Sequence, residues 1–168
     1  MNFIVAVSKD FAIGYKNRLL FNLPSDLVYF KNQTMGKVVV MGERTYLSLP
    51  KRPLPGRINV VLSDNPLFQA EGAIVVHSLD ELFKKLDNYE SENIFVCGGA
   101  SVYNLLMDYC DKAYITFVNA TKPADTFIKD ITKMPNWKII NESQTFQENG
   151  YGFKFVIFKN QDIKEYKV

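Results

Sequence analysis

The chain has 168 residues, a formal net charge of +2, a hydrophobic share of 47% and a charged share of 23%, which is the make-up of one ordinary globular domain. So small a charge excess gives no argument for nucleic acid or a membrane surface as partner. His77 is the only histidine, which rules out a two-histidine metal site and leaves a Ser-His-Asp triad with one candidate and no supporting pattern.

Cys97 and Cys110 lie in apolar surroundings without metal or redox spacing, so a reduced, cytoplasmic chain is expected. Met1 is followed within a few residues by Lys9 and Asp10, so no secretory signal is read. No apolar run reaches membrane-spanning length.

Residues 3–7, Phe-Ile-Val-Ala-Val, form a near-continuous apolar run that suits a central strand covered on both faces. A turn-rich stretch with Gly14 follows, then Asn22-Leu23-Pro24-Ser25-Asp26-Leu27-Val28-Tyr29-Phe30-Lys31. Pro24 belongs to a first helical turn, where its missing N–H is not needed, and Asn22 or Ser25 can cap that turn. At about 100° per residue, Asp26, Leu27, Phe30 and Thr34 share one arc of the helix. An acid therefore stands at the edge of an apolar stripe. Either it complements the helix dipole from a solvated edge, or it faces an apolar pocket. In a pocket it would bind an N–H/NH2 edge through paired, charge-assisted hydrogen bonds. The loop before this helix would lie over the end of the first strand, where ligands bind in open α/β sheets.

Residues 37–41 predict a second buried strand. Gly42 then opens a short helix through Glu43, Arg44, Thr45, Tyr46 and Leu47. Its first N–H groups suit a phosphate, although a plain strand–helix corner reads the same way. Pro50, Pro53, Pro55 and Gly56 stiffen the next loop, which carries Lys51, Arg52 and Arg57. Such cations are either a solvated loop or a rigid carboxylate receptor.

Residues 58–62 and 73–76 read as further strands, the first ending in a turn at Ser63-Asp64-Asn65-Pro66. Ser78 and Glu81 form a capping box, and Leu79, Leu82, Phe83 and Leu86 recur at helical spacing as core. Residues 94–97 are a fifth strand, followed by Gly98-Gly99 and a helix with Val102, Leu105 and Leu106 inward. Strand, glycines and helix start make a second anion site, without the longer dinucleotide fingerprint. Residues 113–118 are a sixth strand and 121–130 a loop. Residues 137–143 and 152–159 pair as an antiparallel hairpin across Gln147-Glu148-Asn149-Gly150. Residues 162–168 form a polar tail expected to fray. This order predicts an α/β domain with a mostly parallel sheet, helices on both faces and an antiparallel edge.

Several blocks then fall into a known order: Ala12-Ile13-Gly14, Asn22 through Leu27 with Phe30-Lys31, and Met41-Gly42 with Arg44-Thr45-Tyr46. Arg52-Pro53-Leu54-Pro55-Gly56-Arg57, Gly98-Gly99 and Asp125-Thr126 complete the series. The ordered set resembles dihydrofolate reductase over nearly the whole chain. The resemblance implies a single dihydrofolate reductase domain over residues 1–160, with a polar C-terminal tail at 161–168. It implies an eight-stranded, mostly parallel sheet with an antiparallel C-terminal edge strand and four helices on both faces. The activity it implies is NADPH-dependent hydride transfer to C6 of 7,8-dihydrofolate with protonation at N5, giving tetrahydrofolate for one-carbon metabolism. The partners implied are dihydrofolate and diaminopyrimidine or folate-type inhibitors, bound by a monomer without metal, nucleic acid or membrane.

By the same resemblance Asp26 is the pocket acid and Thr116 joins its network. Leu19, Leu20 and Phe21 lie on the loop that admits a water to protonate N5. Ile4, Val5, Leu27, Phe30, Leu49 and Leu54 would wall the pocket, with the carbonyls of Ile4 and Cys97 receiving the pterin's other amino edge. Arg57 matches the receptor of the substrate's α-carboxylate, and Lys31 and Arg52 lie near the rest of that tail. Ala6, Ile13, Gly14 and Tyr103 match positions around the nicotinamide, and Asn17, Arg18, Leu19, Cys97 and Thr126 are counted with the same cofactor site. Gly42, Arg44, Thr45, Gly98, Gly99, Ala100, Ser101 and Val102 match the phosphates, with a cis peptide expected at Gly98–Gly99. Leu62, Ser63, Asp64 and His77 match the adenosine side.

Three positions depart from the family pattern. Phe21 replaces the usual tryptophan, Glu43 stands where an arginine usually faces the 2′-phosphate, and Ser101 stands where some members carry another arginine. NADH is therefore expected as a weaker or comparable donor. Two alternatives stand beside the reductase. One is another reductase on the same fold, of the riboflavin-pathway type, against which Asp26 and Arg57 argue. The other is a non-catalytic nucleotide- or antifolate-binding module, for which Phe21 is the reason.

Overall fold

The computed structural model describes residues 1–166, so residues 167 and 168 of the expected tail lie outside the described residues. The chain opens with strands β1 (Asn2–Val7), β2 (Ala12–Tyr15) and β3 (Arg18–Leu19), then helix α1 (Pro24–Thr34). Strand β4 (Val38–Gly42), helix α2 (Glu43–Ser48), and strands β5 (Ile58–Leu62) and β6 (Ile74–Val76) follow. Helix α3 (Leu79–Leu86), β7 (Ile94–Val96), α4 (Ala100–Leu106), β8 (Lys112–Val118) and β9 (Thr126–Phe127) come next. Strands β10 (Trp137–Glu142), β11 (Phe146–Glu148) and β12 (Tyr151–Asn160) close the chain.

The main sheet runs β10-β12-β8-β1-β7-β4-β5-β6. Pairing is parallel from β8 through β6 and antiparallel where β12 meets β8, β10 and β11. The apolar runs are central strands for the expected reason. In β4, Val38 and Val40 join the large core with Phe3, Val5, Leu82 and Leu106, while Val39 and Met41 join Tyr46 and Val61 in another cluster. A period of two splits one valine run between two faces, so both must be apolar.

Four local expectations are revised. The tight turn at Asn149-Gly150 joins β11 to β12, and β10 pairs with the far part of the same long strand. The antiparallel β12 thus lies one place in from the edge, with β10 outside it. The stretches read as loops contain β2, β3 and β9, which form a small sheet through Gly14↔Leu19 and Gly14↔Thr126. These strands are too short to carry a period and exist through each other. On α4, Tyr103 is buried with Val102 and Leu106 while Leu105 is 44% exposed, because Leu105 falls off their shared arc. The tail does not fray up to Tyr166: the Lys164 amide donates to the Asp108 carbonyl at 2.9 Å, and the Tyr166 ring stacks on Phe83 at 4.4 Å. No helix among the described residues is long and apolar enough to cross a membrane.

Candidate active site

Helix α1 starts at Pro24 after Leu23, whose backbone is extended, and no side chain of its own caps it. Neither expected cap forms. Ser25 donates from its amide and its hydroxyl to the two Glu148 carboxyl oxygens, at 2.9 and 2.6 Å. Asn22 offers its carbonyl to Asn149 Nδ2 at 2.8 Å. A hairpin carboxylate takes the free Ser25 N–H of the first turn in place of a local side chain.

Asp26, the third residue of the helix, turns toward the sheet. Thr116 Oγ1 donates to its Oδ1 at 2.6 Å, and Thr116 itself is buried on β8 opposite Ala6 of β1. Burial raises the Asp26 carboxyl above the ordinary carboxylate range, the Thr116 bond opposes that shift, and Glu148 adds to it. The carboxyl is thus partly buried against the sheet and not a fully solvated dipole partner. The apolar stripe beside it is open: Leu27 is 53% exposed, Phe30 is half-buried, and Thr34 is the residue that α1 buries. That helix face is left open instead of plugging a core.

Arg57 stands at the other end of α1. Its Nε donates to the Pro55 carbonyl at 2.9 Å and one terminal nitrogen donates to Thr34 Oγ1 at 3.2 Å. The guanidinium carbon stands 6.0 Å from the Phe30 ring centre. Asn59, a buried residue that sequence reasoning missed, pins this loop. Its side chain accepts from the Leu54 amide at 2.9 Å and donates to the Leu54 and Arg57 carbonyls, each at 3.1 Å. Leu49, Leu54 and Cys97 pack together on the same cluster as Tyr46 and Met41. Arg52 is not drawn toward Arg57: it donates to the Leu47 carbonyl at 2.6 Å. Lys31 is exposed.

The ends of β1, β4, β5 and β7 lie side by side because those strands are parallel. Ile4, Val5 and Ala6 stand at the first of these, and the Tyr103 hydroxyl donates to the Ile4 carbonyl at 2.6 Å. That carbonyl keeps a second lone pair for a ligand. At the next ends, the Gly42 amide donates to the Gly98 carbonyl at 2.9 Å, and the Gly98–Gly99 peptide is cis as expected. Gly98 has φ +131, and a Cβ on Gly99 would come within 3.2 Å of Thr45 Oγ1. Side chains would fill this cradle, so bare backbone lines it, flanked by Glu43, Arg44, Thr45, Ala100, Ser101 and Val102. Such a surface fits a closely approaching pyrophosphate.

Past the end of β5 the chemistry is acidic. Ser63 Oγ donates to Glu43 Oε1 at 3.3 Å, and His77 Nδ1 meets the Ser63 carbonyl at 2.9 Å. Leu62 is half-buried, while Asp64, Arg44 and Ser101 are exposed.

The loop carrying Ile13, Gly14, Asn17, Arg18 and Leu19 is held from outside. The Asp125 amide donates to the Gly14 carbonyl at 3.1 Å, and its carboxylate accepts from the Lys16 amide at 2.9 Å and from Thr126 Oγ1 at 2.8 Å. Leu19 stays exposed while Phe21 is buried, edge-on to Tyr151 with ring centres 5.0 Å apart. Lys122, also missed from sequence, lies over both rings and donates to the Leu20 carbonyl at 2.7 Å. Only its position after β8 hinted at this role.

An acid at the edge of an open apolar helix face, with a glycine cradle at the carboxyl ends of a parallel sheet, is the plan of an α/β enzyme that binds a small molecule against a nucleotide. Comparison with known proteins narrows the class. The chain belongs to the dihydrofolate reductase family, whose model, described as dihydrofolate reductase, matches residues 1–160. Dihydrofolate reductase type 9 of Escherichia coli is 38% identical over 166 residues, covering 95% of this chain and 93% of that one. Dihydrofolate reductase of Bacillus subtilis (strain 168) is 32% identical over 164 residues, covering 96% and 95%. The solved dihydrofolate reductase from Enterococcus faecalis, complexed with NADP(H) and RAB-propyl, superposes with a TM-score of 0.86 at 32% identity over 96% of each chain.

Proposed function

We propose that this chain reduces 7,8-dihydrofolate to tetrahydrofolate, with NADPH as hydride donor. The observation that carries the reading is the pair of held side chains along α1: Asp26 bonded to Thr116 near its start and Arg57 locked by Thr34 and Pro55 at its end.

Each residue then has a physical task. Asp26 accepts the ring N–H and 2-amino group of the pterin, and those two charge-assisted bonds offset the cost of its burial. Thr116 keeps the carboxylate aimed. Ile4 offers the free lone pair of its carbonyl to the pterin's other amino edge, and the carbonyl of Cys97 does the same. Leu27, Phe30, Leu49 and Leu54 cover the apolar body of the substrate. Arg57 takes the α-carboxylate in two-pronged fashion, its fork already oriented. Lys31 lies nearer the rest of the substrate tail. The bound cofactor supplies the hydride. Gly42, Thr45, Gly98, Gly99 and Ala100 would hold its phosphates, and Ala6, Gly14 and Tyr103 its nicotinamide. Among the described residues the acid that couples to Asp26 is Glu148, which is taken up by Ser25, so the loop at Leu19, Leu20 and Phe21 admits the water that protonates N5.

The same site takes diaminopyrimidine and folate-type inhibitors, which present the same N–H edge. The chain acts as a monomer in this reading. Free Cys97 and Cys110 fit a reducing compartment such as the cytoplasm. A spectrophotometric assay with dihydrofolate and NADPH tests the reading. Turnover supports it. Turnover of a pyrimidine substrate alone would replace it with the riboflavin-pathway type, and diaminopyrimidine binding without turnover with a binding module.

A further inference from the structure

Helix α1 has no side-chain cap of its own, and the β11–β12 hairpin supplies one from more than a hundred residues away. Glu148 accepts from the Ser25 amide and the Ser25 hydroxyl, one donor on each oxygen, at 2.9 and 2.6 Å. Next to it, Asn149 holds the Asn22 carbonyl at 2.8 Å. The hairpin tip therefore grips the helix start at two points. Asp26 sits inside the gripped turn, its amide donating to the Leu23 carbonyl at 2.9 Å.

We infer that Glu148 is a positioning residue for Asp26: it fixes the first turn of α1 through Ser25 and sets a second negative charge beside the pocket acid. The inference rests on Asp26 being the acid that binds the pterin.

The charge follows from the surroundings. The titratable groups that couple to Asp26 are Glu148 from β11, Tyr29 on α1 and Tyr103 on α4. Burial pushes the Tyr29 hydroxyl up to about 12 and Tyr103 well above its ordinary value, so both are neutral near pH 7. The Ser25 hydroxyl and amide pull the Glu148 carboxyl below its ordinary range. Glu148 is thus ionised where Asp26 titrates, and a like charge makes the second ionisation harder. The hairpin acid keeps a proton available at the Asp26–pterin unit to higher pH than burial alone would.

Glu148→Gln separates the two roles, because the amide keeps an acceptor oxygen for Ser25 and loses the charge. Ser25→Ala does the converse: it leaves the charge and removes one donor. The direct readout is the 13C titration of the Asp26 carboxyl in the free enzyme. The expected result is a midpoint lower by roughly half a unit in Glu148→Gln at low ionic strength, shrinking as salt is added, with Ser25→Ala closer to wild type. The falling limb of kcat/KM against pH for dihydrofolate moves the same way. An Asp26 midpoint unchanged in a folded Glu148→Gln, or moved further by Ser25→Ala than by Glu148→Gln, overturns the inference. Failure of wild type to reduce dihydrofolate would instead overturn the proposed function, and the carboxyl titration would still decide the link between Glu148 and Asp26.

Discussion

Thr116 and Asp26 are joined hydroxyl to carboxylate at 2.6 Å, from the buried face of β8 to the first turn of α1. This bond ties the first turn of α1 to the main sheet. It also fixes which oxygen of Asp26 stays free for a ligand. Burial outweighs the bond, so the carboxyl is held more easily protonated than in solution.

Asp26→Asn tests both consequences. Without the charge, turnover falls about a hundredfold or more at neutral pH and recovers partly in acid, as the substrate itself takes up a proton. Stability moves the other way. A carboxyl whose folded-state pKa is raised contributes stability below its unfolded value and loses it as pH rises through the folded value. Asparagine cannot ionise, so the variant melts higher than wild type at neutral pH and the advantage disappears below about pH 4. Thermal melts at both pH values check the sign, and near-normal turnover at neutral pH would remove Asp26 from the chemistry.

Arg57 owes its aim to Thr34 and the Pro55 carbonyl. Lysine has a point charge and no fork, so Arg57→Lys raises the Kd of folate-type ligands by about tenfold to a hundredfold. Small diaminopyrimidines without a carboxylate tail lose little. Calorimetry with one ligand of each kind is sufficient, and equal losses would assign Arg57 to the fold.

Lys122 links the loop after β8 to the loop before α1 through the Leu20 carbonyl at 2.7 Å. Lys122→Met keeps the apolar stem over Phe21 and Tyr151 and removes the donor. Loss of one charged hydrogen bond lowers kcat/KM for dihydrofolate about tenfold, with a smaller effect on Tm. Stopped-flow hydride transfer at wild-type rate would show the tether to be passive.

In the proposed function Glu43 stands beside the cofactor's 2′-phosphate. Its carboxyl is held toward β5 by Ser63 at 3.3 Å and does not turn out to Arg44. An acid about 4 Å from a phosphate charge costs about 1 kcal/mol in water and about 4 kcal/mol at an effective dielectric near 20. NADPH is used, with a preference over NADH below about a thousandfold, and Glu43→Arg widens it. The ratio of kcat/KM for the two cofactors, at fixed ionic strength, decides the matter. A larger wild-type preference would place Glu43 away from the 2′-phosphate.

Much of this molecule follows from local pattern. Continuous apolar runs at residues 3–7 and 37–41 marked strands buried on both faces, because a period of two leaves no polar side in such a run. Pro24 marked the start of α1, and Gly42 and Gly98-Gly99 marked strand–helix corners, because each satisfies a backbone constraint within a few residues. Asp26 and Arg57 stood out as candidates for the same reason, an acid among apolar residues and an arginine among prolines, although local pattern left a solvated reading open for each. The tertiary structure decided what those groups meet. Ser25 is capped by Glu148, Leu20 is held by Lys122, and Asp26 is bonded to Thr116, at separations of 123, 102 and 90 residues. β12 enters between β8 and β10, which no spacing announced. A side chain's own helix or strand specifies the direction it points, but its partner is whatever the folded sheet carries past that point, and no period in the sequence encodes a distance that long.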